Sequence, residues 1–180
     1  MRPGRGVLAL GVLAGSVLPS CAPGAELAMP RCDDAGQRLA VIAQSVPESS
    51  YVPCVEGLPA GWTFEGLDVD DQGTTIHLES DRSDRPVRIE LRDDCDASEA
   101  TPIAPRDEGV RSHHLVRTID PRFAGAFLDV FPGGCVVTTY DFPRGRHVPL
   151  VAELQEALGL RTRIELRQEL RDRFGITLDR

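Results

Sequence analysis

The chain has 180 residues, of which 20 are basic and 28 acidic, giving a formal charge of −8 with histidine neutral. Its length admits one domain with a substantial core, and no internal repeat or long low-complexity tract divides it. An acidic chain of this kind lacks the basic surface that neutralises phosphate backbones, so nucleic acid is excluded as an expected partner.

In chain order, Arg2 and Arg5 precede an apolar run from Val7 to Leu18, followed by Pro19, Ser20 and Cys21. As a helix rising about 1.5 Å per residue, the run would cover ~18 Å. The hydrocarbon core of a bilayer is ~30 Å, so the run is too short to span it. A basic start, a short apolar stretch and small residues ahead of a cysteine make an export signal. The segment resembles the type II signal peptide of bacterial lipoproteins, with Leu18-Pro19-Ser20-Cys21 standing as the lipobox and Pro19 departing from the usual residue. The resemblance covers residues 1–21 alone. It implies removal of residues 1–20, acylation of Cys21, and the membrane as a partner through that lipid, on the outer face of the cytoplasmic membrane. Ser20-Cys21-Ala22 also fits an ordinary small-x-small cleavage site, which would yield a secreted chain instead. Without residues 1–20, 18 arginines would face 28 carboxylates, a formal charge of −10. The absence of lysine suits a GC-rich, actinomycete-like genome.

Four cysteines remain beyond Cys21: Cys32, Cys54, Cys95 and Cys135. An even number in an exported chain reads as disulfides. Three pairings are open, and the preferred one joins Cys32 to Cys54 across a helix and Cys95 to Cys135 between two strand ends. A zinc site made from all four lacks the paired spacing such sites favour.

Residues 21–31 read as a short linker, broken by Pro23, Gly24 and Pro30, and residues 32–180 as one domain. Asp34 with Gln37 suggests a capped helix carrying Ala35, Leu39, Ile42 and Val46 on one face and ending at Pro47. Pro53, Gly57 and Pro59 suggest an extended connection. Trp62, Phe64, Leu67 and Val69 alternate with polar residues, with a bulge expected at Gly66 and a turn at Asp70–Gly73. Ile76 and Leu78, then Val87, Ile89 and Leu91, continue the alternation. Setting Leu78 opposite Val87 places Ile76 opposite Ile89 and His77 opposite Arg88. A loop is expected from Asp93 to Gly109, then strands at 110–119, 126–131 and 135–142. A helix with Leu150, Val151, Leu154, Ala157 and Leu158 on one face stops at Gly159. Thr162 and Glu165 form a capping box for a last helix with Leu166, Leu170 and Phe174, ending at Gly175. The fold class expected is α+β: an antiparallel β-sheet meander with one N-terminal and two C-terminal helices, bonded by disulfides.

Several groups of residues carry possible chemistry. Asp68, Asp70, Gln72, Gly73 and Glu79 match the spacing of an EF-hand calcium loop, although the flanks alternate as strands and Gln72 replaces aspartate or asparagine. His113 and His114 are adjacent and so face opposite sides of a strand. Ser112, His113 and Asp120 contain the types of a nucleophilic triad without converging in sequence. Arg163, Arg167 and Arg171 recur every four residues, either as a solvated face salt-bridged to Glu165, Glu169 and Asp172 or as a surface for anionic lipid. No cofactor is expected. These features lead to a membrane-anchored envelope lipoprotein acting as a non-catalytic accessory or binding module toward an envelope protein or cell-wall ligand. The alternatives are an envelope hydrolase with a non-motif active site and a calcium-stabilised secreted domain.

Overall fold

The computed structural model describes residues 28–178 with the exception of residue 35. The expected export signal and Cys21 therefore lie outside the described residues. The elements are α1 (Gln37–Ser45), β1 (Tyr51–Val55), β2 (Trp62–Asp70), β3 (Gly73–Ser80), β4 (Val87–Arg92), β5 (Thr101–Pro102), β6 (Arg111–Thr118), β7 (Arg122–Phe131) and β8 (Gly134–Pro143). A 3-10 turn at Arg144–Arg146 leads into α2 (His147–Ala157), β9 (Leu158–Thr162) and α3 (Arg163–Phe174). The fold is α+β, as its strand runs and flanking helices lead one to expect.

Seven strands form one antiparallel sheet in the order β2-β3-β4-β8-β7-β6-β5. The period-two alternation sets its register: Leu78 pairs with Val87, Ile76 with Ile89 and His77 with Arg88. The β2–β3 ladder slips between Phe64 and Gly66, the expected bulge. The sheet is not one continuous meander. After β4 the chain passes to the far edge as β5 and returns inward through β6, β7 and β8, so that β8 lies beside β4.

One face of this sheet is apolar and covered. Ile76, Leu78, Val87, Ile89, Leu91, Tyr140 and Phe142 share a core with Leu39 and Ile42 of α1, Leu150 and Leu154 of α2, and Leu166 and Leu170 of α3. Burying each such side chain stabilises the fold by roughly 1.5–3 kcal/mol. Trp62 packs edge-on against Phe142 and donates its indole N–H to Glu153 of α2 at 2.7 Å. Glu153 also holds Arg82 at 2.7 Å, joining α2 to the turn after β3.

Three local expectations are corrected. Asp34 does not cap α1; Gly36 occupies the N-cap position and no side chain bonds there. The segment around Pro53 is not a bare connection but β1, a wholly buried strand. Gly159 does not merely stop α2, because residues 158–162 form β9 and pair antiparallel with β1. Pro53 is tolerated because, among the described residues, β9 is the one strand laddered to β1 and the other side is bridged at Val55 alone, so a proline lacking an N–H sits there as on an edge strand. Thr162 caps α3 as expected, accepting from the Glu165 N–H at 3.3 Å.

The hairpin between β7 and β8 abuts the α1–β1 loop. Gly133 has φ 77°, and a Cβ there would lie 1.8 Å from the Glu48 carbonyl oxygen. Only glycine allows this approach, and it fixes residues 48–50 against the end of the sheet.

Candidate functional site

Each cysteine beyond Cys21 is paired. Cys32 bonds Cys54 with Cα atoms 5.0 Å apart, and Cys95 bonds Cys135 at 6.2 Å. The first bridge ties the segment before α1 to β1. The second ties the loop leaving β4 to the start of β8; Cys95 lies three residues past the strand rather than at its end.

The calcium-spaced residues do not come together. Asp68 Oδ2 accepts from the His77 Nε2–H at 2.9 Å, while Asp70 Oδ1 accepts the Gln72 N–H at 2.8 Å in a local turn. Asp70 pairs with Gly73 at the hairpin tip, whereas Glu79 pairs with Thr63 six residues farther along β3. At about 3.4 Å per residue this places Glu79 ~20 Å from the tip. Among the described residues no group of three or more His, Cys, Asp or Glu side chains could hold a metal ion.

Ser112, His113 and Asp120 are likewise dispersed. The Ser112 hydroxyl donates to Asp129 Oδ1 at 2.5 Å, and Asp120 pairs with Arg144 at 2.6 Å. Arg106 completes the first cluster. Its Nε donates to Asp129 Oδ2 at 3.1 Å, its Nη1 to the Gln155 and Leu158 carbonyls, and its Nη2 to Gln155 Oε1. This side chain holds the loop between β4 and β6 against the C-terminal end of α2, where unpaired carbonyls need donors.

His113 and His114 do face opposite ways, pairing across the ladder with Leu128 and Phe127. His114 lies on the covered face, stacked on Phe127 with ring centroids 4.5 Å apart and its Nε2 2.6 Å from the Tyr140 hydroxyl. Burial pushes the His114 pKa down and the Tyr140 pKa up to about 12. Both shifts favour neutral forms, in which the Tyr140 O–H donates to His114 Nε2. A group that works as acid or base at neutral pH needs a pKa near neutrality, and Tyr140 is moved away from it. The pair is a joint between β6 and β8 within an aromatic cluster.

The opposite face of the sheet carries a groove rich in guanidinium groups. The groove, of about 310 Å³, is lined by Arg85, Arg88, Arg117, Ala124, Thr139 and Asp141, among others. Ladder pairing sets Arg88 beside Thr139 and Ala124 beside Asp141. The β6–β7 register slips between Val116 and Thr118, leaving Arg117 as the extra residue of a bulge, a device that re-aims a side chain. Gly125 runs beneath without a side chain; a Cβ there would enter the covered face, 2.2 Å from the Leu115 carbonyl oxygen and 2.7 Å from the Tyr140 hydroxyl. At one rim Asp141 is engaged by both Arg85 and Arg122, and Arg122 also reaches Asp84 at 2.8 Å. Arg88 and Arg117 make no ion pair among the described residues. Three guanidiniums against one carboxylate make this groove locally positive on an acidic chain, a geometry suited to an anionic ligand.

The chain matches no family model, no curated protein and no solved structure.

The alternation around Val87–Leu91 already puts Arg88 on the wet face. Arg117 carries no such mark, because it reaches the groove only through a bulge, and the strands that meet there are distant in sequence. The arginines of the last helix differ among themselves. Arg163 is 5% exposed and donates through Nη1 to the Ala43 carbonyl at 2.6 Å, so it is an internal strut between α3 and α1 rather than part of a solvated face. Arg167 is half-buried and Arg171 exposed.

Proposed function

We propose that the chain is a lipid-anchored binding module of the bacterial cell envelope, tethered through Cys21 and displayed outside the cytoplasmic membrane. Its role is non-catalytic: the Arg85–Arg88–Arg117 groove holds an anionic cell-wall ligand. The observation that carries the binding assignment is the convergence of these arginines on a small-residue floor while the whole chain is acidic. Two further features support the address. Leu18-Pro19-Ser20-Cys21 has the form of a lipid-attachment signal. The other four cysteines pair as two disulfides, which persist in oxidising compartments.

Binding is tested by sedimenting the full chain with purified bacterial cell-wall material. The wild-type protein is expected in the pellet at low salt and to leave it as salt rises. A variant carrying Arg88→Glu and Arg117→Glu should stay in the supernatant; equal sedimentation of both would overturn the assignment. The anchor is tested by intact mass. A diacylglyceryl-bearing chain beginning at Cys21 supports it, and an unmodified chain beginning at Met1 with free thiols refutes it.

A further inference from the structure

A second cleft, of about 360 Å³, opens between the α1–β1 loop and the first turns of α3, lined by Pro47, Glu48, Ser49, Ser50, Arg163, Ile164 and Arg167. Three of its polar atoms, Ser49 Oγ, Ser50 Oγ and Arg167 Nε, are buried without a hydrogen-bond partner among the described residues. Ser49 is 0% exposed. Buried polar atoms are nearly always paired, and an exception marks strain, water or an ion. Strain is a poor explanation here because the loop's backbone is anchored at three points. The Ser49 N–H bonds Val46 O, the Ser50 N–H bonds Pro132 O, and the Ser50 carbonyl accepts from the Arg163 N–H. The loop is thus held rigidly while its two hydroxyls are left unspent.

What remains is a set of donors: two hydroxyls and one guanidinium N–H, from two different elements. Three unpartnered donors lining one cleft suit a tetrahedral oxyanion better than a planar carboxylate, and a guanidinium favours phosphate. Arg163 adds positive charge at the base of the cleft, while the Glu48 carboxylate at its edge opposes an anion. Ile164, 77% exposed, forms an apolar lip beside the donors. We propose that the Ser49–Ser50–Arg167 cleft is a binding site for a phosphate group, supplied either as free phosphate or as the phosphodiester of a lipid headgroup. This site lies on other elements than the arginine groove and does not depend on that groove's role.

The test follows the side-chain Nε–H resonance of Arg167 in the purified full chain during two titrations. One uses inorganic phosphate, the other glycerophosphoglycerol, the water-soluble headgroup of a phospholipid. Saturable shifts are expected, and removing the hydroxyls by Ser49→Ala with Ser50→Ala should weaken binding roughly tenfold. That variant should fold, because the hydroxyls it deletes make no bond. Glu48→Gln should tighten binding by lifting a like-charge repulsion, an effect that a merely structural role would not produce. Preference for the diester assigns the cleft to a headgroup, and preference for the inorganic ion assigns it to free phosphate. Absence of a saturable shift with both ligands, or undiminished binding by the double serine variant, overturns the proposal.

Discussion

Arg106 and Arg167 occupy comparable places, each a guanidinium wedged between a loop and a helix, yet they are used in opposite ways. Every nitrogen of Arg106's guanidinium has a partner: Asp129, the last carbonyls of α2, or Gln155. Arg167 leaves Nε buried with none among the described residues. A satisfied guanidinium fixes a structure, because removing it strands the groups it served. An unsatisfied one holds binding capacity in reserve. The difference teaches that burial of a charge does not identify its role; the inventory of partners does.

The largest effect is expected at the satisfied side. Arg106→Met should leave Asp129, 4% exposed, without its counter-charge and cost roughly 3–5 kcal/mol, measured as a drop in the urea midpoint. A loss near zero would dissolve the contrast. The same loop is closed by Cys95–Cys135, separated by 40 residues, whereas Cys32–Cys54 spans 22. In the chain-entropy account, replacing the longer bridge by alanines costs about 4 kcal/mol and the shorter about 3.5 kcal/mol; the two unfolding curves test whether that order holds. Titration of the His114–Tyr140 joint comes next. Burial lowers the His114 pKa, so its stabilising contribution is complete above the unfolded value of 6.5 and is lost as pH falls through the folded value. Tyr140 is raised, so its contribution is complete below pH 10 and is lost as pH rises toward about 12. Replacing His114 by Gln should flatten the acid limb of a stability–pH curve and leave the alkaline limb in place. The smallest effect belongs to the unsatisfied side: Ser49→Ala should change stability by less than about 1 kcal/mol, in either direction, since it deletes a hydroxyl that bonds nothing. A larger loss would show that this hydroxyl has a structural partner.

The sheet was readable wherever a strand has one wet and one dry face. Ile76, Leu78, Val87, Ile89 and Leu91 alternate cleanly, and their register follows from that pattern alone. β1 and β9 escaped it for a physical reason. β1 is buried on both sides, so Tyr51–Val55 shows no alternation, and Pro53 argues against a strand in isolation. β9 follows α2 without a connecting loop, and Gly159 reads as a helix stop where it serves close packing; a Cβ there would fall 2.8 Å from Cys32 Sγ. Strand order escaped too, since nothing local in residues 93–109 shows that the chain crosses to the far edge. The groove and the phosphate cleft were the least legible. Arg85, Arg88 and Arg117 gather from separate strands, and the importance of Ser49 lies in what fails to touch it. Neither property is written in spacing.

The pairing of β1 with β9 carries a consequence for biogenesis. Val55 and Leu158 are ladder partners 103 positions apart along the chain, so β1 stays without its mate until almost the entire domain has been synthesised. The growing chain therefore keeps a late-closing clasp. Premature closure of this pair is discouraged by topology itself, because the early strand waits for one that is made near the end.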